Sequence, residues 1–195
     1  MSRAPSRPWG FAGWRWELLG AAAGRTLEIG CGRGHNFDHY PPGAQVTAFD
    51  LDSERLAIAA RLVHRRSADS SPPTRRAPIR LAQADAEHLG WDSRSFDSVV
   101  GTLVFCSIPE PATALAEARR VLRPGGRLYL VEHVRAPGLL GRAQDALAPL
   151  WLWSTGGCHL TRDTETTVRQ AGFNIDQLKI GWGGALKLIV VTPRP

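Results

Sequence analysis

Lysine is nearly missing from this chain. Only Lys179 and Lys187 occur among 24 basic residues, so arginine carries the formal net charge of +6. A basic chain invites a nucleic-acid or anionic-surface reading. The arginines are dispersed, however, apart from short pairs such as Arg65-Arg66 and Arg75-Arg76, and aromatics are not interleaved with them as in a strand-binding groove. No Asn/Asp-Pro-Pro-Tyr/Phe stretch for holding a flipped base is present, so nucleic acid is not an expected partner. Cysteine is scarce too. Cys31, Cys106 and Cys158 are too few and too scattered for a disulfide framework and fit a reducing cytoplasm. No apolar run approaches the roughly 18 residues of a transmembrane helix, and no apolar core precedes Trp9 to suggest a secretory signal. The Gly-x-x-x-x-Gly-Lys-Ser/Thr phosphate loop is also absent.

What is present is Leu27-Glu28-Ile29-Gly30-Cys31-Gly32-Arg33-Gly34-His35-Asn36-Phe37. A short apolar strand runs into alternate glycines with an acid two residues ahead of the first. Such a backbone turns sharply and lets a ligand lie directly on it, which needs glycine. A dinucleotide site would space its glycines as Gly-x-Gly-x-x-Gly, a pattern that Gly30, Gly32 and Gly34 do not match. Three acids sit where the first three strands should end: Glu28, Asp50 and Asp85. Carboxylates can accept both hydroxyls of a ribose diol, and they repel a pyrophosphate. The set suits a cationic nucleoside, such as S-adenosylmethionine with its sulfonium and ammonium.

Periodicity predicts one domain of alternating strands and helices. Phe11–Ala23 reads as a helix with Phe11, Trp14 and Leu18 on one face and with Trp9 and Trp16 adding aromatic surface. It would pack on the domain, close over a cleft or touch a membrane surface. Strands are expected at 25–29, 44–50, 79–83, 96–104 and 127–134, and helices at 33–40, 53–66 and 111–122. Arg123-Pro124-Gly125-Gly126 reads as a helix stop and turn, and 67–77 as an irregular loop. Residues 136–164 are too long for a plain crossover. A helix over 163–171, capped by Thr161 or Asp163, should precede a terminal hairpin of 173–180 and 185–192.

Across nearly its whole length the chain resembles the class I S-adenosylmethionine-dependent methyltransferases of type 11. The resemblance rests on Leu27–Gly34, Phe49-Asp50-Leu51-Asp52, Ala84-Asp85-Ala86-Glu87-His88-Leu89 with Ser95-Phe96-Asp97-Ser98-Val99, and Arg119–Gly126, in order. It implies a Rossmann-like, doubly wound α/β fold of three layers, with a seven-stranded, mostly parallel sheet whose last strand is antiparallel. It implies a lid or packing helix over 1–24, a catalytic domain over 25–195 and a substrate cap at 136–164. Cofactor contacts are implied for Glu28, Gly30, Cys31, Gly32, Gly34, Asn36, Asp50, Leu51, Asp85, Ala86, Glu87, Thr102 and Leu103.

A finer resemblance is to the alkyl thiol S-methyltransferases. Gly34–Phe37, Thr102–Ser107, Glu132-His133-Val134 and Gly157-Cys158-His159-Leu160-Thr161-Arg162-Asp163-Thr164 carry it. The implied reaction is methyl transfer to a small apolar or amphipathic acceptor, a thiol first. A phospholipid amine, or a quinone or natural-product carbon or oxygen, is the alternative. Trp14, Cys106, Trp151, Trp153, Cys158 and His159 are expected on the substrate side, with His159 and His133 as catalytic candidates. Glu132 and His133 are adjacent on a strand and face opposite ways, so at most one meets the cleft. No resident metal is expected. The three cysteines converging on a soft acceptor such as arsenite is the sharp alternative to three small buried hydrophobes.

Overall fold

The computed structural model describes residues 11–68, 76–155 and 157–194. Trp9 with the rest of 1–10, and most of the 67–77 loop, lie outside them. Helix α1 (Phe11–Gly20) precedes β1 (Arg25–Ile29), β2 (Gln45–Asp50), α2 (Ser53–Ala68), β3 (Ile79–Gln83), β4 (Phe96–Thr102) and α3 (Pro111–Val121). Then follow β5 (Leu122–His133), α4 (Gly138–Thr155), α5 (Thr164–Gln170), β6 (Phe173–Gly181) and β7 (Leu186–Pro193). The seven strands form one sheet in the order β3-β2-β1-β4-β5-β7-β6. The first five pair in parallel, and β7 runs antiparallel to both β5 and β6. This is the expected Rossmann-like α/β sheet. The order reverses between β1 and β4, and the crevice beyond the carboxyl ends of those strands is where such sheets bind ligands.

Two hydrophobic clusters cover the two faces. One packs Ile29, Phe49, Phe96, Leu115, Leu128 and Ile189 among others, and the second packs Leu18, Leu19, Phe37, Val46, Val131 and Leu188. Helix α1 belongs to the second. Trp14 lies against Gly181, where a Cβ would clash with its ring, and Glu17 pairs with Lys179. No helix among the described residues is long and apolar enough to cross a membrane.

Two local expectations are corrected. No regular helix forms over 33–40. The chain instead makes successive tight turns, with the N–H groups of Gly34, Phe37 and His39 donating to the carbonyls of Cys31, Gly34 and Asn36. Gly30, Gly32 and Gly34 all hold positive φ, at 64°, 54° and 86°, which breaks helical geometry at the start. The Asn36 side chain is also drawn inward rather than left on a helix surface. The second correction concerns Arg123–Gly126. The segment continues β5 rather than ending α3 in a free turn, and Gly125 at φ 79° absorbs a register shift against β4. Elsewhere Asp163 is the cap of α5, its side chain accepting the Thr166 N–H.

Candidate active site

The glycine loop leaves β1 at the switch point and is braced from below. Glu28 is fully buried, and its carboxylate accepts from Asn36 Nδ2 at 2.7 Å and from the Tyr40 hydroxyl at 3.0 Å. Asn36 Nδ2 also donates to Thr102 Oγ1 at 2.8 Å, tying the loop after β1 to the end of β4. Burial raises the Glu28 pKa to about 7, with the two hydrogen bonds opposing it. Asp50 accepts the Gly32 N–H at 2.8 Å on one oxygen and the Asp52 N–H at 3.0 Å on the other. Each carboxylate oxygen keeps a free lone pair for a ligand hydroxyl.

Two adjoining cavities open along this loop. One, of about 200 Å³, is lined by Gly30, Phe49, Asp50, Leu51, Asp85, Ala86, Glu87, Leu103, Val104 and Ser107, with Arg55 at its rim. The other, of about 380 Å³, is lined by Arg15, Gly30, Cys31, Gly32, Asn36, Arg55, Thr102 and Leu103. Gly30 and Leu103 separate them, and both have positive φ; for Leu103, at 53°, this is strained backbone at the heart of the cleft. A Cβ on Gly30 would stand inside van der Waals contact with Val104 Cγ2.

The first cavity is lined mostly by apolar groups together with Asp50, Asp85 and Glu87, a mixture that suits a purine riboside. The second ends at Arg15, whose Nε is buried without a hydrogen-bond partner, and at the orphaned Asn36 Oδ1. A cation and an unpaired acceptor are what an amino-acid head group requires. The residues present therefore fit S-adenosylmethionine.

Beyond β4 the chain turns through Val104, Phe105 and Cys106, and Glu132 of β5 holds that turn. Its buried carboxylate accepts all three N–H groups, at 3.0, 3.1 and 3.1 Å. Burial raises its pKa to about 7 against these bonds. Arg162 donates to the carbonyls of Phe105 and Ile108 from the other side. The 157–164 segment then folds back, with the His159 N–H on the Cys106 carbonyl at 2.8 Å. This brings Cys158 Sγ to 3.4 Å from Cys106 Sγ and 3.8 Å from His133 Nδ1. His133 is flanked by Trp151 and Trp182, ring centroids 6.4 and 6.2 Å away. Contact with Cys158 and burial push the Cys106 thiol up, whereas Cys106 and His133 hold Cys158 low, so the more exposed sulfur ionises first.

Residues 27–130 match the family model described as a methyltransferase domain. The chain belongs to the methyltransferase domain family. Among curated relatives, it is 38% identical to thiol S-methyltransferase TMT1B of Rattus norvegicus, over 78% of this chain and 61% of that one. It is 33% identical to phosphatidylethanolamine N-methyltransferase of Cereibacter sphaeroides, over 67% of this chain and 61% of that one. The chain thus spans about three-fifths of the length of these relatives. Among solved structures, the YcgJ protein of Bacillus subtilis superposes with a TM-score of 0.72 at 17% identity, over 94% of this chain and 97% of that one. That likeness concerns the fold.

On this methyltransferase domain the expected cofactor residues come together. Gly30, Cys31, Gly32, Asn36, Asp50, Leu51, Asp85, Ala86, Glu87, Thr102 and Leu103 line the two cavities. Glu28 and Gly34 act from behind: Glu28 through Asn36, and Gly34 by leaving room for the Phe37 ring. The substrate-side set divides. Cys106, Cys158, His133 and Trp151 gather at one place, whereas the His159 side chain and Trp153 are exposed, Trp153 at 82%. His159 contributes its backbone rather than its ring. Trp14 packs against β6. Of the adjacent pair on β5, His133 points to Trp151, Trp182 and Cys158, and Glu132 into the interior. The three cysteines do not converge: Cys31 sits in the glycine loop with its sulfur toward the Gly32 carbonyl, and His133 takes the third place instead.

Arg15 and Arg55 line the cavities without having been expected there, and Ser107 does so as the end of the Thr102–Ser107 stretch. Arg15 enters from α1 by tertiary packing alone. Only for Arg55 was there a local signal, its place one turn past Asp50 and beside Asp52, with which it pairs at 3.1 Å.

Proposed function

We propose that this S-adenosylmethionine-dependent methyltransferase domain methylates the sulfur of a small apolar thiol. One observation carries the acceptor. The family match ends at residue 130 and spans little more than half the chain, whereas the likeness to a thiol S-methyltransferase covers 78% of it. It must therefore draw on residues outside the cofactor-binding half. The lipid-amine relative matches less of the chain, 67%.

The site suits that chemistry. The bound cofactor supplies a methyl group on a sulfonium, already a good leaving group. The protein's task is positioning and exclusion of water. Asp50 and Asp85 flank the space for the nucleoside, Arg15 and Asn36 the space for the amino-acid head. The Glu132-held turn of 104–106 fixes the wall between cofactor and acceptor. Trp151, Trp182 and His133 form the apolar side on which an acceptor can lie. A thiol with an ordinary pKa of about 8.5 is partly ionised near neutrality, so a strong dedicated base is not needed.

A second reading has its own support in the exposed apolar face of α4, where Leu139, Leu147, Leu150 and Trp153 are all more than half exposed. That face suits a membrane surface, and a phospholipid amine would then be the acceptor. Methyl-labelled cofactor offered with a panel of alkyl thiols, phosphatidylethanolamine vesicles and phenols separates the two. A labelled thioether as the dominant product is the expected result. Labelled phosphatidylethanolamine with unlabelled thiols overturns the thiol reading.

A further inference from the structure

Cys106, Cys158 and His133 come from three distant parts of the chain: the turn after β4, the segment after α4 and the end of β5. Cys106 and Cys158 are 52 residues apart in sequence, yet their sulfurs lie 3.4 Å apart. One ligand atom from each of the three lies within 4.8 Å of the others. Around a tetrahedral zinc ion with Zn–S of about 2.3 Å and Zn–N of about 2.0–2.1 Å, two sulfur ligands are about 3.8 Å apart and a sulfur and a nitrogen about 3.6 Å apart. The sulfur–sulfur edge of 3.4 Å and the sulfur–nitrogen edge of 3.8 Å lie within about 0.4 Å of those values.

The surroundings fix this geometry. Three backbone N–H groups on Glu132 and two carbonyls on Arg162 lock the turn that carries Cys106. The His159 N–H on the Cys106 carbonyl joins the Cys158 segment to it. The ring of His133 is held between two tryptophans. Outer contacts of this kind orient metal ligands and set affinity. Cys158 is half-buried, so the group is reachable from the acceptor side. Ser107, next to Cys106, lines the nucleoside cavity, which places the cluster beside the cofactor rather than across the molecule.

We infer that Cys106, Cys158 and His133 bind a zinc-class metal ion whose fourth position takes the sulfur of the acceptor thiol. Two thiolates and an imidazole leave zinc uncharged and one position open, the pattern of catalytic rather than structural sites. A thiol entering that position loses its proton to water. A sulfur lone pair then forms the new S–C bond as the S–CH3 bond of the sulfonium breaks. The products are a thioether, a weaker ligand that leaves, and S-adenosylhomocysteine. The inference rests on the thiol reading above and adds to it how the thiol is activated.

Cobalt(II) tests it, because the tetrahedral ion with thiolate ligands is coloured. The reduced full-length chain is stripped with chelator and titrated with cobalt chloride. The expected result is a visible d–d spectrum with a near-ultraviolet sulfur-to-cobalt band, saturating at one ion per chain and bleached by zinc. Adding propanethiol should shift the bands. Removing an outer contact to a metal ligand already costs about 10–100-fold in affinity, so Cys158→Ser should weaken binding at least that much. His133→Gln should do likewise, and Cys31→Ser should keep the spectrum. Thermal unfolding of each variant reports folding.

Absence of the bands in wild type, their persistence in Cys158→Ser, or indifference to thiol overturns the inference. Undiminished thiol methylation by metal-free protein overturns the metal's role and leaves the thiol reading standing. A thiol-insensitive spectrum together with labelled phosphatidylethanolamine overturns both.

Discussion

Two buried glutamates on neighbouring halves of the sheet show how the donor and acceptor sides differ. Glu28 on β1 and Glu132 on β5 are both fully buried, and burial raises both to about 7. Glu28 braces a loop through side chains, Asn36 and Tyr40, and makes no bond to the loop's backbone, whose Cys31, Gly32 and Gly34 N–H groups go instead to the Phe49 carbonyl, Asp50 and the Cys31 carbonyl. Glu132 does the reverse. It takes up the backbone N–H groups of residues 104–106 itself and leaves side chains, Cys106 above all, to meet the acceptor. The donor-side loop is thus braced through its side chains, and the acceptor-side turn through its backbone.

Removing the acceptor-side brace should have the largest effect. Glu132→Ala leaves three buried N–H donors without an acceptor, a loss on the order of 3 kcal/mol at roughly 1 kcal/mol or more each. Thermal unfolding should show it, and methyl transfer should fall further than cofactor affinity. The milder Glu132→Gln tests the charge. A carboxyl whose pKa is raised on folding holds its proton in the folded state after the unfolded chain has lost it. Wild-type stability should therefore decline as pH rises from about 4.5 to about 7, the unfolded and folded values. The glutamine variant should show a shallower decline over that window. Equal slopes would mean that Glu132 is not the group responsible.

On the donor side the break is conformational. Gly30→Ala places a Cβ at positive φ and against Val104. The backbone term alone is about 1–2 kcal/mol. Calorimetry should show cofactor affinity reduced roughly tenfold or more, with the Cys106 cluster still able to bind cobalt. Loss of both would show that the two sides are not independent. Smallest is Arg15→Ala, which removes the half-exposed cation at the head-group end. A drop in cofactor affinity of about threefold to tenfold is expected, with no change in affinity for an adenosine fragment. An equal drop for adenosine would place Arg15 at the other end of the cleft.

The comparison also separates what could be read early from what could not. The donor side was legible because its determinants are local. Glycines at 30, 32 and 34 and acids at 28, 50 and 85 stand at strand ends that periodicity marks out. The missed helix over 33–40 shows the limit. Asn36 turns inward to Glu28 and Thr102, the latter a contact across 66 residues that no local pattern carries. On the acceptor side, His159 was the natural candidate because its segment is the expected cap over the acceptor. The fold spends its backbone on Cys106 and exposes its ring, while the neighbouring Cys158 turns in.

The sequence by itself determined the sheet, the cleft at its switch point and the family, since alternation, glycines and acids are properties of short segments. Only the tertiary structure decided which of Cys31, Cys106, Cys158, His133 and His159 would meet. Their convergence depends on a buried carboxylate and a guanidinium fixing one turn from two sides, and those are contacts between segments that are distant along the chain.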